Sequence, residues 1–558
     1  MPTWQELAAD KKKRQAEAIP KEWIISLPPA DQLDVTDVPA KCGLLSPFET
    51  EVTESTDVSV ILEKLASGEW SSVNVTRAYY KRAIIAHQLL NCLTEIFVEQ
   101  ALARAAECDA YLKEKGKPMG PLHGLPVSLK DQVCLKGLET TMGYVSWVGD
   151  YATRDATLAT LLYEAGAVPF VRTNVPQTLM WPESFNNVFG RTLNPFNRNL
   201  TCGGSSGGEG ALVGIKGSPL GVGSDLGGSV RIPAALQGLY GLRPSFNRIP
   251  YEGSVNSLQG ADAYPSVLGP ISISLSGVTA FTKAIVGLKP WTKDPLAVRK
   301  AWDEDAYKLK EHGDGKDLCF AIIWDNGHIV PHPPIRRALE VTKAALEAKG
   351  IKFIDWPGFD YLDLCDTLVS TWGAGSEEDY KVTTAKTGEP ILRTMAPDNS
   401  VDQPKFDVPD VPLSAYQLWQ AQKKIGLLRK KHLDIWESTK ELTGTGRPVD
   451  AIISPVAPYT ALPHGQTSYG YYTMAWNALD SSASVFPVTK ADPSVDVKQP
   501  RDKFLNDYDK YVYSQYDPEA LKNAPASLQL IGRTLEEEAV IGMTELVDAA
   551  LKEYKAKH

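Results

Sequence analysis

Three short stretches carry residue types and spacings that could do chemistry. Gly124-Leu-Pro-Val-Ser-Leu-Lys130-Asp131 sets a lysine directly behind an apolar run. Cys202-Gly-Gly-Ser-Ser-Gly-Gly-Glu-Gly210 presents two adjacent serines in a glycine frame, and Gly223-Ser-Asp-Leu-Gly-Gly-Ser-Val-Arg231 presents a third serine after two glycines. A lysine at the end of an apolar strand either reaches water or is buried with partners. If it is buried, desolvation lowers its pKa from about 10.4, and a drop of about three units leaves enough neutral amine near neutrality to act as a general base. In Asp225-Leu-Gly-Gly-Ser229 successive backbone N–H groups can point at one spot and hold an oxyanion; the alternative is a glycine-rich turn into a helix around Pro233–Leu239. Asp225 and Arg231 flank Ser229 and read as an ion pair. Gly203-Gly-Ser205-Ser-Gly207 also fits the G-x-S-x-G elbow, which needs a histidine partner. Of the eight histidines, His464 is the candidate for it.

Other chemistries find little support. There is no G-x-x-x-x-G-K-[ST] loop and no H-E-x-x-H, and the glycines at 221–227 break the dinucleotide pattern. Seven cysteines without a C-x-x-C pair form neither a zinc site nor a disulfide framework; Cys202, beside the Gly/Ser loop, is the one to test for a chemical role. The net charge of −10 argues against an extended nucleic-acid surface. The first residues hold no apolar h-region, no window reaches the length of a membrane span, and the tail matches no lipidation signal. A reducing, cytoplasmic location is the expectation.

These residues need elements to position them. Residues 1–50 read as an N-terminal helix followed by an extended, Pro/Asp-rich arm, and residues 51–558 carry the three stretches. Within 53–114, apolar positions recur at three and four, which predicts amphipathic helices broken at Gly68. From about residue 121 the texture turns to buried strands at 125–129 and 167–171, with a helix between them that ends before Gly166. This alternation predicts an α/β fold. The core of the pattern spans about 121–245. Residues 290–450 read as a charged, helical excursion built on the same sheet, with a Pro/Asp-rich stretch at 397–413, and as a wall of the substrate cavity. Sheet texture returns at 451–454, 484–488 and 526–531, before a last amphipathic helix at 535–554.

Taken jointly, the three stretches resemble the amidase signature family: a lysine after an apolar strand, G-G-S-S-G-G-E-G-A, then D-[IL]-G-G-S-[IV]-R, with 75 residues from Lys130 to Ser205 and 24 from Ser205 to Ser229. Further blocks at 121–126, 174–180, 239–244 and 525–533 extend the resemblance over nearly the whole chain, and within the family it is most similar to fungal acetamidases and more distantly to fatty-acid amide hydrolase. The resemblance implies that residues 51–558 are a single α/β/α domain around a large mixed sheet covered by helices, and it implies no metal and no organic cofactor. It makes Ser229 the nucleophile, Ser205 a bridging serine preceded by a cis peptide bond, and Lys130 the base. The oxyanion hole falls on the amides of Leu226, Gly227, Gly228 and Ser229, supported by Ser206, Asp225 and Arg231. Leu179, Met180 and Trp181 follow a segment that leads to the family's pocket. Tyr144 and Trp147 are further candidates, and Trp324 and Trp372 in the excursion are expected to shape the rest. The implied reaction is hydrolysis of a small-molecule amide, with carbamate, ester or lipid-amide hydrolysis as the alternative; a homodimer is the family-level expectation.

Overall fold

Strand β2 (Pro126–Lys130) is the organising element, because the chain passes from it to the strand on one flank and then crosses over it to the strand on the other. It runs parallel to β3 (Val168–Thr173) on one flank and to β6 (Leu220–Asp225) on the other. Each connection carries a helix, Thr157–Glu164 before β3 and Gly207–Gly214 before β6. The C-terminal ends of three parallel strands therefore meet where the winding reverses, the usual place for a ligand site in an open α/β sheet. Lys130, Thr173 and Asp225 are the last residues of those strands.

This computed structural model describes residues 2–396 and 412–557. The remaining strands are β1 (Leu93–Ile96), β4 (Phe185–Asn186), β5 (Gly190–Arg191), β7 (Tyr240–Arg243), β8 (Val267–Ser272), β9 (Cys319–Ile322), β10 (Lys352–Asp355), β11 (Ala451–Pro455), β12 (Ala483–Lys490) and β13 (Pro525–Ile531). Eleven of the thirteen strands among the described residues form one mixed sheet in the order β1-β3-β2-β6-β8-β7-β12-β13-β11-β9-β10, while β4 and β5 make a small hairpin.

Side-chain alternation along the strands separates two apolar layers. On β11, Ile452 packs with Trp372, Trp476 and Leu236 on one face, whereas Ala451 and Ile453 join Leu339, Val540 and Met543 on the other. Helices Pro333–Glu347 and Glu537–Lys557 cover the second face, and helices Arg231–Leu236, Tyr361–Gly373 and Tyr471–Leu479 cover the first. Helices on both faces of a mixed sheet are the α/β/α arrangement that the family resemblance implies.

Two expectations need correction. The 19–50 arm is not extended throughout: it contains helix Val38–Lys41, and helix Pro47–Glu54 starts within it. The second helix is nucleated by a reciprocal cap, in which Ser46 and Glu49 each bond the other's backbone N–H and Pro47 fills the first turn. The 290–450 excursion is not purely helical either, because it supplies β9 and β10, which extend the sheet by two parallel strands. All but the last two residues of the Pro/Asp-rich stretch at 397–413 lie outside the described residues.

Candidate active site

Every residue of β2 is buried, including Lys130 at its end. The Lys130 Nζ lies 2.7 Å from Ser205 Oγ and 2.7 Å from Ser224 Oγ. Burial pushes its pKa down to about 7, against the pull of Asp225 and Glu209. Glu209, on the helix that follows Ser205, accepts from Ser128 Oγ at 2.6 Å and Thr173 Oγ1 at 2.8 Å. Burial raises its carboxyl to about 8 despite those bonds. Near neutrality, two ionisable groups beneath the loop are thus poised close to their uncharged forms.

The Gly204–Ser205 peptide is cis. Gly204 lies against the 181–183 backbone so closely that an added Cβ would sit 2.5 Å from the Glu183 carbonyl oxygen and 2.6 Å from that of Trp181. Only glycine fits there, which explains part of the glycine frame. Ser206 ties the loop to its neighbours: its N–H donates to the Ser229 carbonyl at 3.2 Å, and its Oγ accepts from Ser224 N–H at 3.2 Å.

The turn from Asp225 to Arg231 is built around one carboxylate. Asp225 accepts from the N–H groups of Gly228 at 2.8 Å and Val230 at 3.2 Å, from Asn477 Nδ2 at 2.9 Å, and from Arg231 Nε and Nη2 at 3.0 Å each. Burial raises this carboxyl, but the Arg231 guanidinium and the Asn477 amide hold it at about 2, so it stays charged. Gly228 adopts φ +131°, and a Cβ there would meet Thr473 Oγ1 at 2.2 Å. Thr473 Oγ1 donates to the Gly227 carbonyl at 2.6 Å, which holds that oxygen toward helix Tyr471–Leu479. Among the described residues, the amides of Leu226, Gly227 and Ser229 have no protein acceptor, whereas the Gly228 N–H is committed to Asp225. The Ser229 hydroxyl, half-buried, also has no partner among the described residues.

The expected pocket residues separate. Trp372, from the excursion, and Met474 overhang Gly227: a Cβ added at Gly227 would lie 3.2 Å from Trp372 Cη2 and 3.3 Å from Met474 Cγ. Leu179 is buried with Met142, Tyr144 and Val175, beside Trp147. Met180 packs onto the layer that contains Trp372, and the Trp181 carbonyl abuts Gly204. Trp324 is elsewhere. It packs on the opposite face of the sheet, donates to Asp355 at 2.8 Å and carries the Arg336 guanidinium 4.5 Å above its ring.

His464 bonds the Arg198 carbonyl at 2.9 Å, while Ser205 is engaged by Lys130, so the histidine elbow finds no geometry here. Cys202 is buried, and its thiol is pushed up to about 12, far from a reactive thiolate. Gln132, Thr473 and Asn477 were not legible as site residues. Gln132 stands two places after the lysine without a motif of its own, and the other two approach from a helix about 250 residues downstream. Among the described residues no helix is long and apolar enough to cross a membrane, and no group of three His, Cys, Asp or Glu could hold a metal ion.

An open mixed sheet that brings a buried lysine and glycine-framed serines to its switch point can serve hydrolytic chemistry. Residues 74–541 match the Amidase family, and the chain belongs to that family. It is an amidase, a hydrolase of amides. It is 42% identical to an acetamidase of Aspergillus oryzae over 98% of this chain and 99% of the relative, and 42% identical to an acetamidase of Emericella nidulans over 98% of each. Its fold superposes on that of a fatty acid amide hydrolase with a TM-score of 0.88 at 33% identity, covering 98% of this chain and 94% of the other.

Proposed function

We propose that this amidase cleaves small carboxylic amides through a Ser229–Ser205–Lys130 triad and an acyl-enzyme. The observation that carries the reading is the fully buried Lys130 amine, bonded to Ser205 at 2.7 Å and brought down to about 7 by burial. In this reading the neutral amine takes a proton from Ser205 as Ser205 takes one from Ser229. The Ser229 Oγ attacks the carbonyl carbon, and the carbonyl π pair moves to oxygen. That oxyanion is held by the free amides of Leu226, Gly227 and Ser229. Gly228 is left out of this set because its N–H already serves Asp225. As the intermediate collapses, the proton returns through Ser205 to the leaving nitrogen, and ammonia or an amine departs. Water then enters, gives its proton to the same relay and cleaves the ester to the carboxylate. Because the relay protonates the leaving atom, esters and carbamates are accepted by the same route.

Short acyl groups suit the space beneath Trp372 and Met474 over Gly227. The likeness to two acetamidases at 42% identity points the same way. The test is Ser229→Ala, assayed on acetamide, longer aliphatic amides, anilides and matched esters, with a fluorophosphonate probe in parallel. The expected result is loss of all hydrolysis by about 10³-fold or more and loss of probe labelling. Undiminished turnover, or a probe adduct mapped to Ser205, would overturn the assignment.

A further inference from the structure

Gln132 is fully buried two residues beyond Lys130, and its amide can face only one way. Its Nε2 donates to the Val255 carbonyl at 2.9 Å and to the Tyr251 hydroxyl at 2.6 Å. A carbonyl oxygen only accepts, so the nitrogen must face Val255 and Oε1 must face the opposite side. The backbone is pinned too, since Val255 N–H donates to the Gln132 carbonyl at 3.0 Å. On that opposite side Oε1 meets Ser224 Oγ. Oε1 also only accepts, so the Ser224 hydroxyl is the donor, and a hydroxyl has a single hydrogen.

With that hydrogen directed at Gln132, Ser224 can meet Lys130 Nζ at 2.7 Å only as an acceptor. A neutral amine has two hydrogens and one lone pair. One hydrogen goes to Ser224, and the lone pair is left for the Ser205 hydroxyl, also at 2.7 Å. We propose that Gln132 is a positioning residue which, acting through Ser224, fixes the hydrogen-bond direction around Lys130 so that the amine turns its lone pair on Ser205. The inference rests on the reading of Lys130 as the base. If the acceptor at 132 is lost, Ser224 is free to donate into the lone pair and occupy the base.

Other charged groups do not set this direction. Glu209 is bonded by Ser128 and Thr173 from below, Asp225 is paired with Arg231, and the Asp131 carboxylate faces Thr94, Thr141 and Met142. Burial pushes the Tyr251 phenol up to about 12, so it stays protonated through the assay range.

The experiment measures acetamide hydrolysis from about pH 5.5 to 9.5 for Gln132→Met, Gln132→Glu, Ser224→Ala and the double variant Gln132→Met/Ser224→Ala. Gln132→Leu is a second variant without the acceptor, in case the first fails to fold. Gln132→Met should lose about tenfold in kcat at unchanged KM, the worth of one misdirected neutral hydrogen bond, and its acid limb should move to lower pH because the donated bond favours the uncharged amine. Gln132→Glu keeps an oxygen acceptor toward Ser224, but its second oxygen can face the Val255 carbonyl only as a protonated O–H, so it should recover rate at the acid end of the profile and lose it as the carboxyl ionises. The double variant should be faster than Gln132→Met alone, because a missing hydroxyl hinders the base less than a misdirected one. A double variant no faster than the single one, or a Gln132→Met enzyme with wild-type kcat and acid limb, would overturn the inference. Lys130→Ala in the same assay separates the two levels. If Lys130→Ala is inactive while Gln132→Met is unaffected, only the orienting role falls; if Lys130→Ala is active, the triad falls with it.

Discussion

Replacing Lys130 with methionine should make the protein more stable and at the same time inactive. The native state holds this amine at about 7, whereas the exposed side chain of the unfolded chain titrates near 10.5. At about 1.36 kcal/mol per unit, burial of the lysine burdens the native state by roughly 4–5 kcal/mol near neutrality. Methionine has a similar length and no charge to desolvate. Against that gain stand two lost hydrogen bonds, to Ser205 and Ser224, at about 1 kcal/mol each. The net expectation is a variant more stable by about 1–3 kcal/mol at pH 7. The sign with pH is fixed as well. Between about pH 7 and 10.5 the unfolded chain carries a proton that the native state lacks, so wild-type stability rises with pH across that window. The methionine variant has no such slope, and its advantage should shrink toward pH 10. Urea unfolding at pH 7 and pH 9.5 reads both effects, while acetamide turnover should fall by about 10²–10⁴-fold. In the wild type, kcat/KM should rise with pH through about 7 as the amine loses its proton. A variant destabilised equally at both pH values would refute the claim that desolvation perturbs this lysine, and a wild-type profile flat from pH 6 to 8 would refute its role as base.

Two further outcomes follow from the surroundings. Asp225→Asn should destabilise by about 3–5 kcal/mol in thermal or chemical unfolding, because it strips the buried Arg231 of its counter-charge; a loss below about 1 kcal/mol would contradict the hub described for that carboxylate. Trp372→Ala should open the space over Gly227 and raise kcat/KM for hexanamide relative to acetamide by about tenfold, at a cost of about 3–5 kcal/mol in stability; an unchanged ratio would remove Trp372 from the acyl pocket.

Much of this architecture was readable where local chemistry and tertiary role agree. The Pro126–Lys130 and Val168–Thr173 strands are apolar runs buried on both faces, and they appear within a residue or two of their expected limits. The break at Gly68 falls at φ +77°, where the helix C-cap needs a left-handed residue. Leu93–Ile96 was not readable, since four residues between two long helices carry no period of their own. Lys352–Asp355 escaped for a related reason: it is an edge strand, charged at both ends, and resembles the helical excursion around it. In the site, the pairing of Asp225 with Arg231 could be read from a six-residue interval. The engagement of the Gly228 amide by that same carboxylate could not, because it depends on the exact path of the bend. Trp324 and Trp372 looked equivalent in sequence, and only the alternation of the sheet's two layers puts one above the glycines and the other on the far side.

The helix Tyr471–Leu479 reaches back with Thr473 to Gly227 and with Asn477 to Asp225. A bend spelled out before residue 232 is therefore not braced until the ribosome has delivered more than four fifths of the polypeptide. Nascent or prematurely terminated forms would carry every hydroxyl of the proposed relay and still lack the clamp that shapes its anion cradle, so competence is withheld until the two halves of the sheet have joined.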